Sequence, residues 1–98
     1  MTSRRLLDPA SAILLKAADY MEQHGFCQHA LSKSDGSVCL IGAINIVSAS
    51  DKGDLVTRAL NRVRKHLNIL RIIGWNDVPG RTKDEVVNAL RQAAIEGE

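Results

Sequence analysis

Asp8 followed by Pro9 opens a stretch in which Ile13, Leu14, Ala17, Ala18 and Met21 recur three and four residues apart, and Gly25 closes it. An aspartate side chain caps orphan N–H groups, and proline suits the first helical position because its missing N–H would have no partner there. Glycine then accepts the positive φ that stops a helix. The spacing predicts a helix over residues 9 to 24 with one apolar face. Such a face must be buried against other elements, so the chain is committed to a packed, mainly helical core.

The same punctuation recurs further along. Cys27 to Ser32 and Ser37 to Leu40 flank Asp35-Gly36, a dipeptide that favours a tight turn and predicts one short β-hairpin. From Val38 to Ala49 apolar residues fall on nearly every side, broken by Gly42, Asn45 and Ser48 three apart, a central segment whose β-branched content leaves a strand open but whose length and Gly42-Ala43 pair favour a helix. Ser50 to Gly53 is a polar break, after which Asp54 is placed to cap a helix carrying Val56, Ala59, Leu60, Val63, Leu67 and Leu70 inward. Gly74 is the expected end of that unit. Trp75 to Arg81 reads as a compact loop whose Pro79-Gly80 suits a type II turn. Thr82 and Glu85 form a Thr-x-x-Glu capping box opening a last helix with Val86, Val87, Leu90, Ala93 and Ala94 inward. The expected fold is therefore mainly α: one small globular domain over residues 1–98, ordered over about 8–95, with about four helices and one short β-hairpin.

Composition narrows the function classes. At 98 residues the chain has room for one modest core, burying roughly 60–65% of the unfolded surface. With 45% hydrophobic and 24% charged residues it falls in the ordinary globular range, not the disordered one. No apolar run approaches the roughly 18–20 residues needed to span a bilayer. Arg4 and Arg5 precede only Leu6 and Leu7 before Asp8 and Pro9 intervene, so neither a signal peptide nor a transmembrane helix is expected. The two cysteines then read as reduced thiols in a cytoplasmic protein.

GFCQ at Gly25 to Gln28, DGSVCLIGA at Asp35 to Ala43 and WNDVPGRTKDEVVNAL at Trp75 to Leu90, in this order, give the chain a resemblance to an uncharacterised family of small proteins found in actinobacteria and their phages. The family's pattern carries Trp at the position of Phe26 and Gly at that of His29, so the chain departs from it twice, which weakens any shared role for His29. The resemblance implies an actinobacterial or actinophage origin and no activity to carry over. Phage accessory proteins of this size often bind a host protein.

Everything chemically unusual lies between His24 and Ala43, which holds both cysteines and two of the three histidines. His24, Cys27, His29 and Cys39 are all metal-ligating types, but their alternation does not match a zinc-finger spacing, and no metal or cofactor is expected. A Cys27–Cys39 disulfide conflicts with a turn register that sets Ser32 opposite Cys39. Cys39 lies near the start of the central helix, where backbone N–H groups favour a thiolate. With His24 or His29 as base and Asp77 to orient the imidazole it would form a nucleophilic constellation. The Leu40-Ile41 neighbourhood argues for burial, which disfavours the thiolate.

Between Leu55 and Asn76 stand Arg58, Arg62, Arg64, Lys65 and Arg71 with no carboxylate. Arg58, Arg62 and Lys65 form a stripe expected to face solvent. Nucleic acid is a weak expectation, since 3% aromatic residues leave no stacking platform and no helix-turn-helix signature accompanies the stripe. Trp75 reads first as a hydrophobic plug held by an Asx-type turn at Asn76-Asp77, and second as a partner anchor beside Arg71 and Arg81. The function expected is a cytoplasmic protein-interaction or regulatory protein contacting a partner through Arg58, Arg62, Lys65, Arg71, Trp75 and Arg81. A cysteine-dependent enzyme centred on Cys39 and a weak nucleic-acid binder are the alternatives.

Overall fold

The computed structural model describes residues 8–96, which form α1 (Pro9–His24), α2 (Leu40–Val47), α3 (Gly53–Leu67), α4 (Ile72–Asn76) and α5 (Lys83–Glu96). The Arg4-Arg5 pair lies outside the described residues. No helix among them is long and apolar enough to cross a membrane.

Helix α1 begins and ends where its punctuation requires. The Ser11 N–H donates to Asp8 Oδ2 at 3.2 Å, and Gly25, at φ +100°, returns its N–H to the Met21 carbonyl at 2.8 Å. Its buried face is Ala10, Ser11, Ile13, Leu14, Ala17, Ala18 and Met21, and it packs against α5, α2 and α3, making it the central element. At α5 the capping box closes reciprocally: Thr82 N–H donates to Glu85 Oε1 at 2.9 Å and Glu85 N–H to Thr82 Oγ1 at 3.2 Å. Val86, Val87, Leu90, Ala93 and Ala94 are all buried beneath it. Alanines on both helices keep the α1–α5 seam shallow, so backbone and side chain meet directly: Ser11 Oγ donates to the Ala94 carbonyl at 2.9 Å.

The expected hairpin does not form, and no strand exists among the described residues. Val38 makes two isolated bridges, parallel to Phe26 and antiparallel to Ser32. The antiparallel pairing is real but one residue out of the expected register. Gly36, at φ +92°, follows a turn closed by Gly36 N–H to Lys33 C=O at 2.9 Å, and Lys33 N–H reaches Ser37 C=O at 3.0 Å, so the loop holds three residues instead of two. Extension into a ladder is blocked on both sides. His29 sits at φ +67°, breaking extended backbone, and Cys39 is already the N-cap of α2.

Helix α2 accordingly starts at Leu40 and not at Val38. The single unit expected up to Gly74 is divided. Asn68, at φ +55°, takes the left-handed conformation that asparagine tolerates at a helix end, and its N–H returns to the Arg64 and Lys65 carbonyls. The chain therefore has five helices among the described residues where about four were expected, and Leu70, expected inward, is 88% exposed. Lys52, not Asp54, is the N-cap of α3, and Asp54 lies in the first turn, where its charge favours the helix dipole. Between α4 and α5 the turn at Pro79-Gly80 takes the expected form: Arg81 N–H donates to Val78 C=O at 3.0 Å, and Gly80 has φ +88°.

Candidate functional site

The GFCQ, DGSVCLIGA and WNDV segments converge on the start of α2, and Asn76 joins them. Its side chain is 1% exposed. Asn76 Oδ1 accepts from the Leu40 N–H at 3.0 Å, and Nδ2 donates to the Cys27 carbonyl at 3.3 Å and to Asp77 Oδ1 at 2.9 Å. Gln28 Nε2 donates to the Asn76 and Val78 carbonyls at 3.1 and 2.8 Å. Asn76-Asp77 is thus a cross-link between distant segments in place of the expected local Asx turn. A buried amide with three partners specifies geometry because each group left unpaired would cost about 1–3 kcal/mol.

Around this node lies a cavity of about 420 Å³ lined by His29, Ala30, Leu31, Cys39, Ile41, Ile72, Ile73, Asn76 and Asp77. Three of the four residues of the alternative catalytic set, Cys39, His29 and Asp77, therefore share one wall system. His24 does not join them; it stacks on Tyr20 with ring centroids 4.1 Å apart. Asp77 Oδ1 accepts the His29 N–H at 3.0 Å, and Oδ2 is 3.6 Å from His29 Nδ1. Bonds from Asn76 and the His29 backbone, in that order, hold the Asp77 carboxyl below the usual range against a small desolvation effect.

Cys39 is the N-cap of α2, and its Sγ accepts the Gly42 N–H at 3.3 Å. Burial is the largest influence on its thiol and pushes the pKa up, outweighing the Gly42 and Ile41 N–H groups. Cys27 is also a buried free thiol, bonded from Sγ to the Ala30 carbonyl at 3.5 Å. Among the described residues no three His, Cys, Asp or Glu side chains are grouped to hold a metal ion. Native Cys39 is expected to react with iodoacetamide at about pH 7.5 at least roughly tenfold more slowly than a free cysteine model, measured by mass spectrometry of quenched aliquots. Modification faster than the model thiol would restore Cys39 as a nucleophile.

The cavity opens onto a longer apolar surface. Ile41, Ile72 and Ile73 also line a second concavity with Arg64, Leu70, Arg71 and Gly74, and Arg64 and Leu70 continue into a third with Lys65, Asn68 and Ile69. Leu31, Leu70 and Ile73 are respectively 51%, 88% and 55% exposed. A connected strip of this kind on a small protein marks an interaction surface more often than scattered apolar exposure does. Arg64 is fixed at its edge, with Nε donating to the Leu70 carbonyl at 3.0 Å and Nη1 to Asn61 Oδ1 at 2.8 Å.

The residues expected to bind a partner are distributed differently. Arg71 is exposed on the strip and Lys65 lies at its far end. Arg62, expected on the solvent face, is 8% exposed; its guanidinium pairs with Asp8 and donates to Ser11 Oγ. Arg58 is 3.7 Å from the same Asp8 carboxylate. Two cations of the expected stripe therefore serve α1. Arg81 stacks over the half-buried Trp75 ring, 3.9 Å from its centroid, and donates from Nε to the Trp75 carbonyl at 2.9 Å. Trp75 packs against the core from that position, which makes it part of the α4 scaffold.

Nothing in the apolar spacing marks Leu31, Ile73 and Leu70 as surface residues. The available signal was Asn68, whose tolerance of positive φ marks a helix end and would have detached Leu70 from the inward face. The chain matches, over residues 6–96, the family described as "Family of unknown function (DUF6197)". No curated protein and no solved structure gives a significant match.

Proposed function

We propose that this chain, which belongs to the family of unknown function DUF6197, is a protein-interaction module that docks one amphipathic acidic segment of another protein. The observation that carries the reading is the apolar strip from the exposed Leu31 across the half-buried Ile41 and the exposed Ile73 to the exposed Leu70, with Arg64 and Arg71 on its edge. Apolar side chains of the segment cover the strip and gain burial at about 25 cal/mol per Å². Carboxylates meet the arginines, which steers encounter and rejects basic competitors. The burial of Cys39, which pushes its thiol pKa up, favours this reading over the enzyme alternative, because burial disfavours the thiolate that a nucleophile needs. The shared position of Arg58 and Arg62 around Asp8 likewise weakens the phosphate-binding alternative. The module is read as cytoplasmic, and its resemblance to actinobacterial and phage proteins makes a bacterial host protein the first partner to seek.

The test is affinity capture followed by measurement of the captured protein against paired variants. Leu70→Glu and Arg71→Glu are expected to reduce capture at least roughly tenfold with melting temperatures nearly unchanged, since both positions are exposed. Ile95→Glu, at an exposed apolar residue outside the strip, should leave capture intact. Equal binding by all three variants would remove the strip as the docking surface.

A further inference from the structure

The strip has opposite charge at its two ends. Arg64, Lys65 and Arg71 stand around the Leu70 end, whereas the cavity at the other end holds the Asp77 carboxylate. Between them the walls are aliphatic: Leu31 from the loop, Ile41 from α2, and Ile72 and Ile73 from α4. The volume of about 420 Å³ falls in the range of sites that enclose a small ligand or a large side chain. Aliphatic walls ending at a carboxylate match a side chain with an apolar stem and a cationic tip, which buries its methylenes while its charge is paired.

Asp77 is well held for such a role. Oδ1 is occupied by the His29 N–H and the Asn76 amide, which fix the carboxylate plane. Oδ2 meets only the His29 ring among the described residues, at 3.6 Å, longer than a hydrogen bond. His29 itself is exposed, its side chain 75% accessible, so it can give way to a stronger donor. The buried Asn76 sets the whole arrangement on α2 and α4, not on a mobile loop tip.

We infer that this cavity is the specificity pocket of the docking surface and receives a lysine or arginine side chain of the bound segment, stem against Ile41, Ile72 and Ile73 and tip on Asp77. The inference rests on the docking reading and adds a direction to it: the segment places its basic anchor at the His29–Asp77 end and its acidic residues at the Arg64–Arg71 end. A segment with the reverse order sets like charges together at both ends and is rejected.

n-Butylguanidinium chloride is the probe for the pocket, titrated into the ¹⁵N-labelled protein with n-pentanol as the uncharged control of similar stem. Shifts at the amides of Leu31, Ile41, Ile73 and Asp77 are expected, with pentanol at least roughly fivefold weaker. Asp77→Asn keeps the Oδ1 acceptor and should lower guanidinium affinity at least roughly fivefold, measured on protein whose amide spectrum remains that of the folded chain, since loss of the charge that Asn76 and the His29 N–H favour also lowers the melting temperature. Ile73→Ala, which trims an exposed wall residue, should weaken both probes together. The inference is overturned by the absence of shifts at these amides, by equal binding of pentanol, or by undiminished binding to Asp77→Asn. Failure of the docking reading would look different: guanidinium would bind as described while no captured partner responded to Leu70→Glu. Conversely, a partner lost with Leu70→Glu but indifferent to Asp77→Asn would keep the docking surface and dispose of the pocket.

Discussion

Gly42→Ala should destabilise the protein by about 3 kcal/mol, the upper end for overpacking, because nothing near that position can yield cheaply. A Cβ at Gly42 would stand 1.9 Å from the Leu31 carbonyl oxygen and 2.8 Å from its carbon. Those are backbone atoms, and the Leu31 carbonyl is itself engaged by the Cys39 N–H at 3.0 Å. Relief requires separating the loop from α2, which strains the Asn76 bonds to Leu40 and Cys27 and opens the cavity. For a domain of this size the loss corresponds to a fall of about 12–24 °C in melting temperature, readable by circular dichroism. A Gly42→Ala variant melting within about 3 °C of the parent would show that the loop does not lie against α2 as described.

The second large effect is expected at Arg62. Arg62→Glu should cost about 3–4 kcal/mol, since it removes the closer and buried of the two arginines on Asp8 and sets a carboxylate in the buried site facing another. The same substitution on a solvated stripe would change stability by about 0.5 kcal/mol or less, so chemical denaturation separates the two placements. Acid supplies an independent check. Burial of Asp8 opposes its ionisation, but the Ser11 N–H and the Arg62 guanidinium outweigh it and hold the carboxyl below the usual range. The unfolded chain then binds that proton at higher pH than the native state, so the contribution is fully present above the unfolded pKa and is lost as pH falls through the lower native one. The stability gap between the parent and Arg62→Met should be constant above about pH 5 and narrow below about pH 4. Asp35 and Asp77 also have lowered carboxyl pKa values, but they are common to both proteins and cancel in the difference. A gap that stays constant down to about pH 2.5 would show that Asp8 and Arg62 are not coupled.

Local punctuation determined α1 and the start of α5, two of the five helices among the described residues. Asp8, Pro9 and Gly25 bound α1, and Thr82 with Glu85 opens α5, because caps and positive-φ residues act within one turn of chain and need no knowledge of the rest. The apolar repeats on α1 and α5 likewise identified the buried face residue by residue. Tertiary structure decided what depends on segments far apart in the chain. The hairpin gave way because His29 turns to positive φ on one side and Cys39 caps α2 on the other, and the loop then lies so close to α2 that only a residue without a side chain fits at Gly42, which no repeat in the sequence announces. Arg62 carries the same charge and helical spacing as its exposed neighbours, and only the arrival of Asp8 from the start of α1 makes burial favourable there. Cys39, His29 and Asp77 stand out in the sequence as chemical types, yet their meeting at one cavity depends on Asn76, whose amide looks like any loop asparagine until Leu40 and Cys27 are folded onto it.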